Sequence, residues 1–459
     1  MSKRPRSISM KVLKTMFKLS RSFLFRAAAA ASSRQAAKSS AAIAPRPVVS
    51  SASMFSTVTG TSSTSRPEPQ TAATLTQIGT RRIFEYEHDQ YRELCRKFYE
   101  DEVIPFHDKW EEAGQVPREL WKKAGEMGML CVTVPEEYGG MGLDVMYSAV
   151  MWEEQSYANT SGPGWFLHSE IVAPYIMHYG SEEQKRKYLP AMCSGDAIGA
   201  IAMTEPGAGS DLAGMRTTAI KDPATGEYVL NGSKTYITNG FMSDVVIVCA
   251  KTDPEKGAKG ISLFLVDAST PGFSKGKKLK KIGMKAQDTS ELFFEDCRIP
   301  ASALLGDEGR GFAYLMTELP QERLLVAEMA LASAEAAFEW TRTFLKDRIA
   351  FGKPLTSKQT IQHRLAEMKT ELTIARTFAD RCLELLRDKQ LDNSTASMAK
   401  YWCTDLSSKV CDECLQLHGG AGYMWEYKVA KAWADVRVAR IYGGSNEIMK
   451  ELIAREIVK

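Results

Sequence analysis

The stretch "IAMTEPGAGSDLAG", residues 201–214, is where the chain changes its habit. A short β-rich run ends near Thr204 and Glu205. Pro206, Gly207 and Gly209 then make a tight turn, closed by Ser210 and Asp211. With no Cβ in the way, the N–H groups of such a turn can approach a phosphate or the edge of a ring. The turn is not a GxGxxG and no βαβ unit surrounds it, so a Rossmann nucleotide site is not supported. On composition alone it reads either as a cofactor cradle or as an ordinary strand-to-strand loop.

Working outward, the residues before it read as helices. "QYRELCRKFYEDEVIPFHDKWEEAG", "RELWKKAGEMGML" and "YSAVMWEEQSYAN" carry apolar residues at helical spacing, with Pro105 and Pro117 as punctuation. The residues after it read as short strands: "EYVLNGSKTYITNG", "DVVIVCAKT", "GISLFLVD" and "ELFFEDCRI", parted by Gly, Pro, Asn and Asp. Strands without intervening helices suggest a compact β-barrel or sandwich. From Gly306 long helices return, with short connections that suit an antiparallel bundle. The expected fold is α+β: a helical domain over 79–197, a β-barrel domain over 198–304 and a four-helix bundle over 305–459.

Three further breaks draw the eye. "ELPQERLLVAE" reads as a helix start with Pro320 in the first turn, where Glu322 alone would be a helix-dipole acid. "QLHGGAGYMWEY" (416–427) alone is a C-cap and turn. "ARIYGGSNEIMKELIARE" (439–456) reads as a short extended piece at Arg440–Tyr442, two glycines, and a helix capped by Ser445. Its glycine pair carries no charged side chain, and that gap needs a reason.

Composition excludes several classes. The chain has 459 residues, 44% hydrophobic and 25% charged, enough for a large core. Of 59 Lys and Arg, 12 fall in residues 1–67, which hold no Asp or Glu; the remainder has 47 basic against 56 acidic residues. That mildly acidic body argues against a nucleic-acid or anionic-membrane binder. The basic, Ser-rich, acid-free start, taken as residues 1–75, reads as a mitochondrial transit peptide. No run reaches the length of a transmembrane segment. Nine scattered cysteines and six isolated histidines give neither a disulfide framework nor a metal site; Cys411 and Cys414 read as helix residues.

Taken together and in this order, "PEEYGGMGLD", "TEPGAGSDLAG", "NGSKTYITNG", "RIAFGKPL", "QLHGGAGY" and "IYGGSNEI" resemble the acyl-CoA dehydrogenase family, from about residue 80 to the end. "LPQERLLVAE" and residues 416–458 resemble its mitochondrial long-chain branch. The resemblance implies a mitochondrial-matrix flavoenzyme, usually a homotetramer. It would convert an acyl-CoA to the trans-2-enoyl-CoA of β-oxidation and pass electrons to electron-transfer flavoprotein. FAD would lie between the β-domain and the bundle. By that likeness Ile201, Ala202, Met203, Thr204, Glu205, Pro206, Gly207, Ala208, Gly209 and Ser210 would line the flavin. Ser210 would also touch substrate. Tyr236, Ile237 and Thr238 would flank the ring. Arg348, Phe351 and Gln359 would reach the FAD of a neighbouring subunit, whose adenosine Gln416, Leu417, His418, Gly419 and Gly420 would hold. Ser445, Asn446 and Glu447 would meet FAD at a helix start.

The implied reaction removes the pro-R α-proton to a carboxylate while a β-hydrogen leaves as hydride to flavin N5. Many relatives carry that carboxylate in the last loop, as Tyr-Glu-Gly-Thr. This chain has Tyr442-Gly443-Gly444-Ser445, so Gly443 stands where the glutamate would be. The long-chain and isovaleryl branches place the base on a bundle helix before an arginine, which here is Glu322 before Arg323. Pro320, Gln321, Glu322, Arg323, Gly443 and Gly444 would then face the substrate, with Arg323 assisting CoA. Ala313 stands where the long-chain enzymes tend to have tyrosine, which bears on chain-length preference. The alternatives are an isovaleryl-like or short branched-chain dehydrogenase, an acyl-CoA oxidase, and a non-catalytic helical interaction protein of the same fold.

Overall fold

The computed structural model describes residues 81–459; the expected transit segment lies outside the described residues. The longer helices of the first region are α1 (Tyr86–Phe98), α2 (His107–Ala113), α3 (Arg118–Glu126), α4 (Val145–Tyr157), α5 (Ala173–Tyr179) and α6 (Glu182–Ser194). Their ends follow local chemistry. Asp144 accepts the Met146 N–H ahead of α4, and Ser181 and Gln184 form a capping box on α6. Gly195 closes α6 in the left-handed region, where a Cβ would be strained. The interior is aromatic: Trp121, Trp152 and Trp165 are fully buried. One π-turn, Tyr99–Val103, follows α1, and a second, His168–Val172, runs directly into α5.

Eight strands follow: β1 (Gly199–Ala202), β2 (Thr218–Lys221), β3 (Tyr228–Thr238), β4 (Val245–Lys251), β5 (Ile261–Asp267), β6 (Phe273–Lys278), β7 (Thr289–Ile299) and β8 (Leu304–Leu305). They form one sheet in the order β6-β7-β3-β2-β4-β5-β8, with β1 parallel to β4. Alternate residues of every long inner strand meet in one apolar cluster, among them Leu230, Val246, Val248, Phe264, Val266, Leu292 and Phe294. The sheet thus wraps a common interior, and among the described residues its end strands β6 and β8 are not paired with each other. The expected barrel is an open one.

The last region is helical: α7 (Gly311–Asp347), α8 (Gln359–Arg387), α9 (Asn393–Leu417), α10 (Lys428–Val436) and α11 (Asn446–Ile457). Two local readings need correction here. Helix α7 does not begin near Pro320; it begins at Gly311 and carries Pro320 in its interior. Proline normally breaks a helix by removing one N–H, but here packing of both flanking halves outweighs that single lost bond. The piece before the glycine pair is not extended: Arg437–Arg440 is a 3₁₀ turn continuing α10.

An ionic cluster joins the first and last regions. Arg81 holds Glu153 (2.5 Å) and Asp380 (2.9 Å), and Arg92 holds Glu153 (2.7 Å). Arg376 of α8 holds Glu335 (2.7 Å) and Glu328. All seven side chains are buried. The three guanidiniums hold the Glu153 carboxyl well below the usual carboxylate range against its burial, whereas burial pushes Glu328 up to about 7.

Candidate active site

Glu322 sits in α7, three turns in, and is 4% exposed. Tyr175 of α5 donates its hydroxyl to Glu322 Oε1 at 3.0 Å. Burial pushes the Glu322 carboxyl up to about 7; the Tyr175 bond opposes the shift and the neighbouring Glu318 adds to it. Glu318, one turn earlier, is held by His178 Nδ1 and Tyr179 Oη, each at 2.8 Å, and the Tyr179 ring stacks on Tyr314 at 4.0 Å. The α5 face therefore fixes two carboxylates of one helix edge. A carboxylic acid that titrates near 7 in an enclosed place is suited to taking a proton from a weak carbon acid.

The glycine pair comes to this same place. A Cβ on Gly443 would meet Val326 Cγ2 at 3.4 Å, one helical turn beyond Glu322. Gly443 and Gly444 both lie at positive φ, +65° and +88°, which explains glycine at each. Lys400 of α9 fastens the loop from behind: fully buried, it donates to the Gly444 carbonyl (2.6 Å) and Asn446 Oδ1 (2.9 Å). Burial, aided by the Arg323 charge, pulls the Lys400 amine down to about 8. Arg323 also turns inward, donating to Asn393 Oδ1 (2.9 Å) and Ser397 Oγ (3.4 Å), so its guanidinium braces α9. Gln321 is likewise spent on the Glu170 carbonyl at 3.0 Å. Asn446 is 1% exposed and bonded to Lys400, Thr404 and Asp405, while Glu447 at the same helix start faces solvent.

Sequence reasoning missed the supporting residues of the 201–210 loop. Its signal was one buried-strand lysine in "NGSKTYITNG". Lys234 of β3, fully buried, donates to Glu205 Oε1 (2.8 Å) and the Met203 carbonyl (3.1 Å). Glu205 also accepts the Arg216 (2.6 Å) and Thr217 (3.0 Å) N–H groups. Its side chain is thus an inward fastener of the loop, and Ile201 and Ala202 are core residues of β1. What the loop presents outward is Pro206, Gly207, Gly209 and Ser210; a Cβ at either glycine would meet nothing within 4 Å. A break in the β3–β7 register between Lys234 and Ile237 coincides with Tyr236 at φ +61°. That bulge turns Tyr236 out, 69% exposed, and Ile237 into the core. Cys249 of β4 links the two halves of the site: burial pushes its thiol up to about 12, with Glu322 and Glu205 adding and Lys234 opposing.

The remaining expected residues lie elsewhere. Phe351 stands on the hairpin of Ile349–Ala350 and Lys353–Pro354, 92% exposed at φ +53°; Gln359 opens α8 nearby. Arg348 ends α7. Gln416 and Leu417 end α9, and the His418 ring stacks on Phe344 at 4.2 Å. Gly419 and Gly420 have open space where a Cβ would go. Phe344 is about 33 Å along α7 from Glu322 at 1.5 Å per residue. One chain therefore carries two separated groups of exposed backbone.

Beside Gly443 lies a cavity of about 60 Å³, lined by Met329, Ala330 and Ser333 of α7, Gln155 of α4, Ser161, Asp435 and Tyr442 among others. Among the described residues no group of His, Cys, Asp or Glu is arranged to hold a metal, and no helix is long and apolar enough to cross a membrane. Cys411 and Cys414 are buried in α9.

This fold and site define a family. Family models for the acyl-CoA dehydrogenase N-terminal, middle and C-terminal domains match residues 85–196, 200–297 and 309–458, and the chain belongs to the acyl-CoA dehydrogenase family. It is 59% identical over 395 residues to the long-chain specific acyl-CoA dehydrogenase, mitochondrial, of Sus scrofa, across 86% of this chain and 91% of that protein. Among solved structures it is similar to the acyl-CoA dehydrogenase of Geobacillus kaustophilus, at 49% identity and TM-score 0.80, over 82% of this chain and 98% of that one. A glutaryl-CoA dehydrogenase from Mycobacterium smegmatis in complex with FADH2 matches at 30% identity and TM-score 0.77, over 82% and 95%.

Proposed function

We propose that the protein is a mitochondrial long-chain acyl-CoA dehydrogenase of fatty-acid β-oxidation in which Glu322 removes the α-proton. The observation that carries this is a buried carboxyl raised to about 7, one helical turn before Val326, whose side chain borders the space Gly443 leaves without a Cβ. The carboxylate takes the C2 proton, and the C3 hydrogen departs with its electron pair, leaving the trans C2–C3 double bond. Tyr175 holds one carboxyl oxygen by its hydroxyl, so the other is free to meet the proton. Lys400 and Asn446 keep the Gly443–Gly444 backbone in place against the reacting carbons.

The residues present fit FAD. Gly207 and Gly209 offer backbone without Cβ beside an outward-turned Tyr236, a surface suited to a flat polar ring. When bound, FAD supplies the two-electron acceptor for the C3 hydride. Gly419, Gly420 and the exposed Phe351 suit the other end of such a cofactor, but their distance along α7 puts them beyond the site of their own chain. That separation supports a homotetramer in which each FAD is shared by two subunits. Membership of the family supports electron-transfer flavoprotein as acceptor, and the basic, acid-free start of the sequence supports the matrix as location.

The test is Glu322→Gln. This variant should retain yellow flavin and fold, and lose turnover by at least about a thousandfold, as for removal of an essential general base. Adding a long-chain acyl-CoA anaerobically should bleach wild type alone; bleaching of the variant at the normal rate would exclude Glu322. Kinetics across saturated and branched acyl-CoAs of four to eighteen carbons separate the long-chain reading from the isovaleryl-like one.

A further inference from the structure

The cavity beside Gly443 continues the face of α7 that carries Glu322. Glu322, Val326, Met329 and Ser333 follow one another at spacings of four, three and four residues, so they share one stripe. From Glu322 to Ser333 the helix advances about 16 Å, the reach of about 13 carbons of an extended polymethylene chain. The near part of this track is apolar, where Val326, Ala330 and Ala439 pack with Tyr442. Its far end is not. Gln155 is 1% exposed and spends its Nε2 on the Thr160 (3.1 Å) and Pro163 (2.8 Å) carbonyls, which leaves Oε1 buried and without a donor. Ser161 and Asp435 line the same end, with the Ser161 hydroxyl turned to the Asp435 carboxyl. A methyl terminus placed there would leave Gln155 Oε1 unsatisfied, whereas a hydroxyl can donate to it.

We infer that the far end of this cavity is a site for the terminal hydroxyl of a long acyl chain lying along the α7 stripe, so that ω-hydroxyacyl-CoA thioesters of about fourteen to sixteen carbons are substrates beside the unsubstituted ones. The inference rests on the reading that the Glu322 face receives the acyl thioester. A neutral hydroxyl suits the end better than a carboxylate, because Asp435 already brings an acid there and burial raises its own carboxyl to about 6.

The experiment measures kcat/KM of the FAD-loaded enzyme for ω-hydroxy and unsubstituted acyl-CoAs of ten, twelve, fourteen and sixteen carbons. At ten carbons the hydroxyl is stranded in the apolar part and the hydroxy-to-plain ratio should be low. It should rise about tenfold by sixteen carbons, the worth of one satisfied against one unsatisfied buried group. Gln155→Leu should abolish the rise. A ratio that stays flat or falls with length, while plain long chains turn over normally, overturns the inference alone. Failure of the plain sixteen-carbon thioester to react overturns the long-chain reading and the inference with it.

Discussion

At the scale of single residues, the chemistry turns on how one carboxyl is surrounded. Desolvation raises Glu322 and the Tyr175 hydroxyl restrains it. Tyr175→Phe removes the restraint, so the limb of kcat/KM that reports ionisation of the free enzyme's base, expected near pH 7, should move to higher pH by up to about one unit. An unchanged limb would show that Tyr175 only packs. Stability carries the opposite signature. The folded-state pKa lies above the ordinary value near 4.5, so the contribution of Glu322 is full below about pH 4.5 and is lost as pH rises through 7. Glu322→Gln should therefore match wild type in stability near pH 4 and exceed it by up to about 3 kcal/mol near pH 8.5. Chemical unfolding of the two proteins at both pH values checks this.

At the scale of elements, the site is assembled by fastening irregular backbone to regular backbone. Lys234 and Glu205 pin the 201–210 turn to β3; Lys400 and Asn446 pin the glycine pair to α9. Both lysines are fully buried, which is rare unless their hydrogen bonds are met. The geometry around Gly443 supports a transplant. Its Cβ position has ordinary van der Waals space beside Val326, although φ of +65° costs a side chain roughly 1–2 kcal/mol. Gly443→Glu added to Glu322→Gln should recover a measurable fraction of turnover, well below wild type. Complete absence of recovery in a flavin-loaded double variant would show that the two positions do not approach the same carbon.

At the scale of the whole molecule, α7 is the spine. It carries Glu322 near one end, the ionic cluster through Glu328 and Glu335 in the middle, and Phe344 against His418 near the other. Arg376 holds the first and last regions to it. Arg376→Met leaves Glu328, Glu335 and part of Glu153 buried without their cation, and should lower stability by about 3–5 kcal/mol. Thermal unfolding monitored by flavin fluorescence and by circular dichroism together would detect it.

The order of helices, strands and helices was legible because the pattern changes along the chain: an apolar period of 3.6 in "QYRELCRKFYEDEV" gives way to short β-branched apolar runs such as "DVVIVCAKT", parted by turn residues. The glycine pair was legible as a gap, and it pointed to Glu322, because the absence of a side chain is written directly in the sequence. Tertiary structure alone decided the rest. Pro320 sits inside α7 because packing on both sides exceeds one lost hydrogen bond, and no local rule weighs that sum. Arg323 and Asn446 turn inward because α9 supplies partners from 41 to 74 residues away in the chain. The near-neutral carboxyl of Glu322 exists only once α5 and β4 have excluded water from it. Sequence fixes which groups are present; the free energy of a charge depends on what surrounds it, and that is assembled only when the chain has folded.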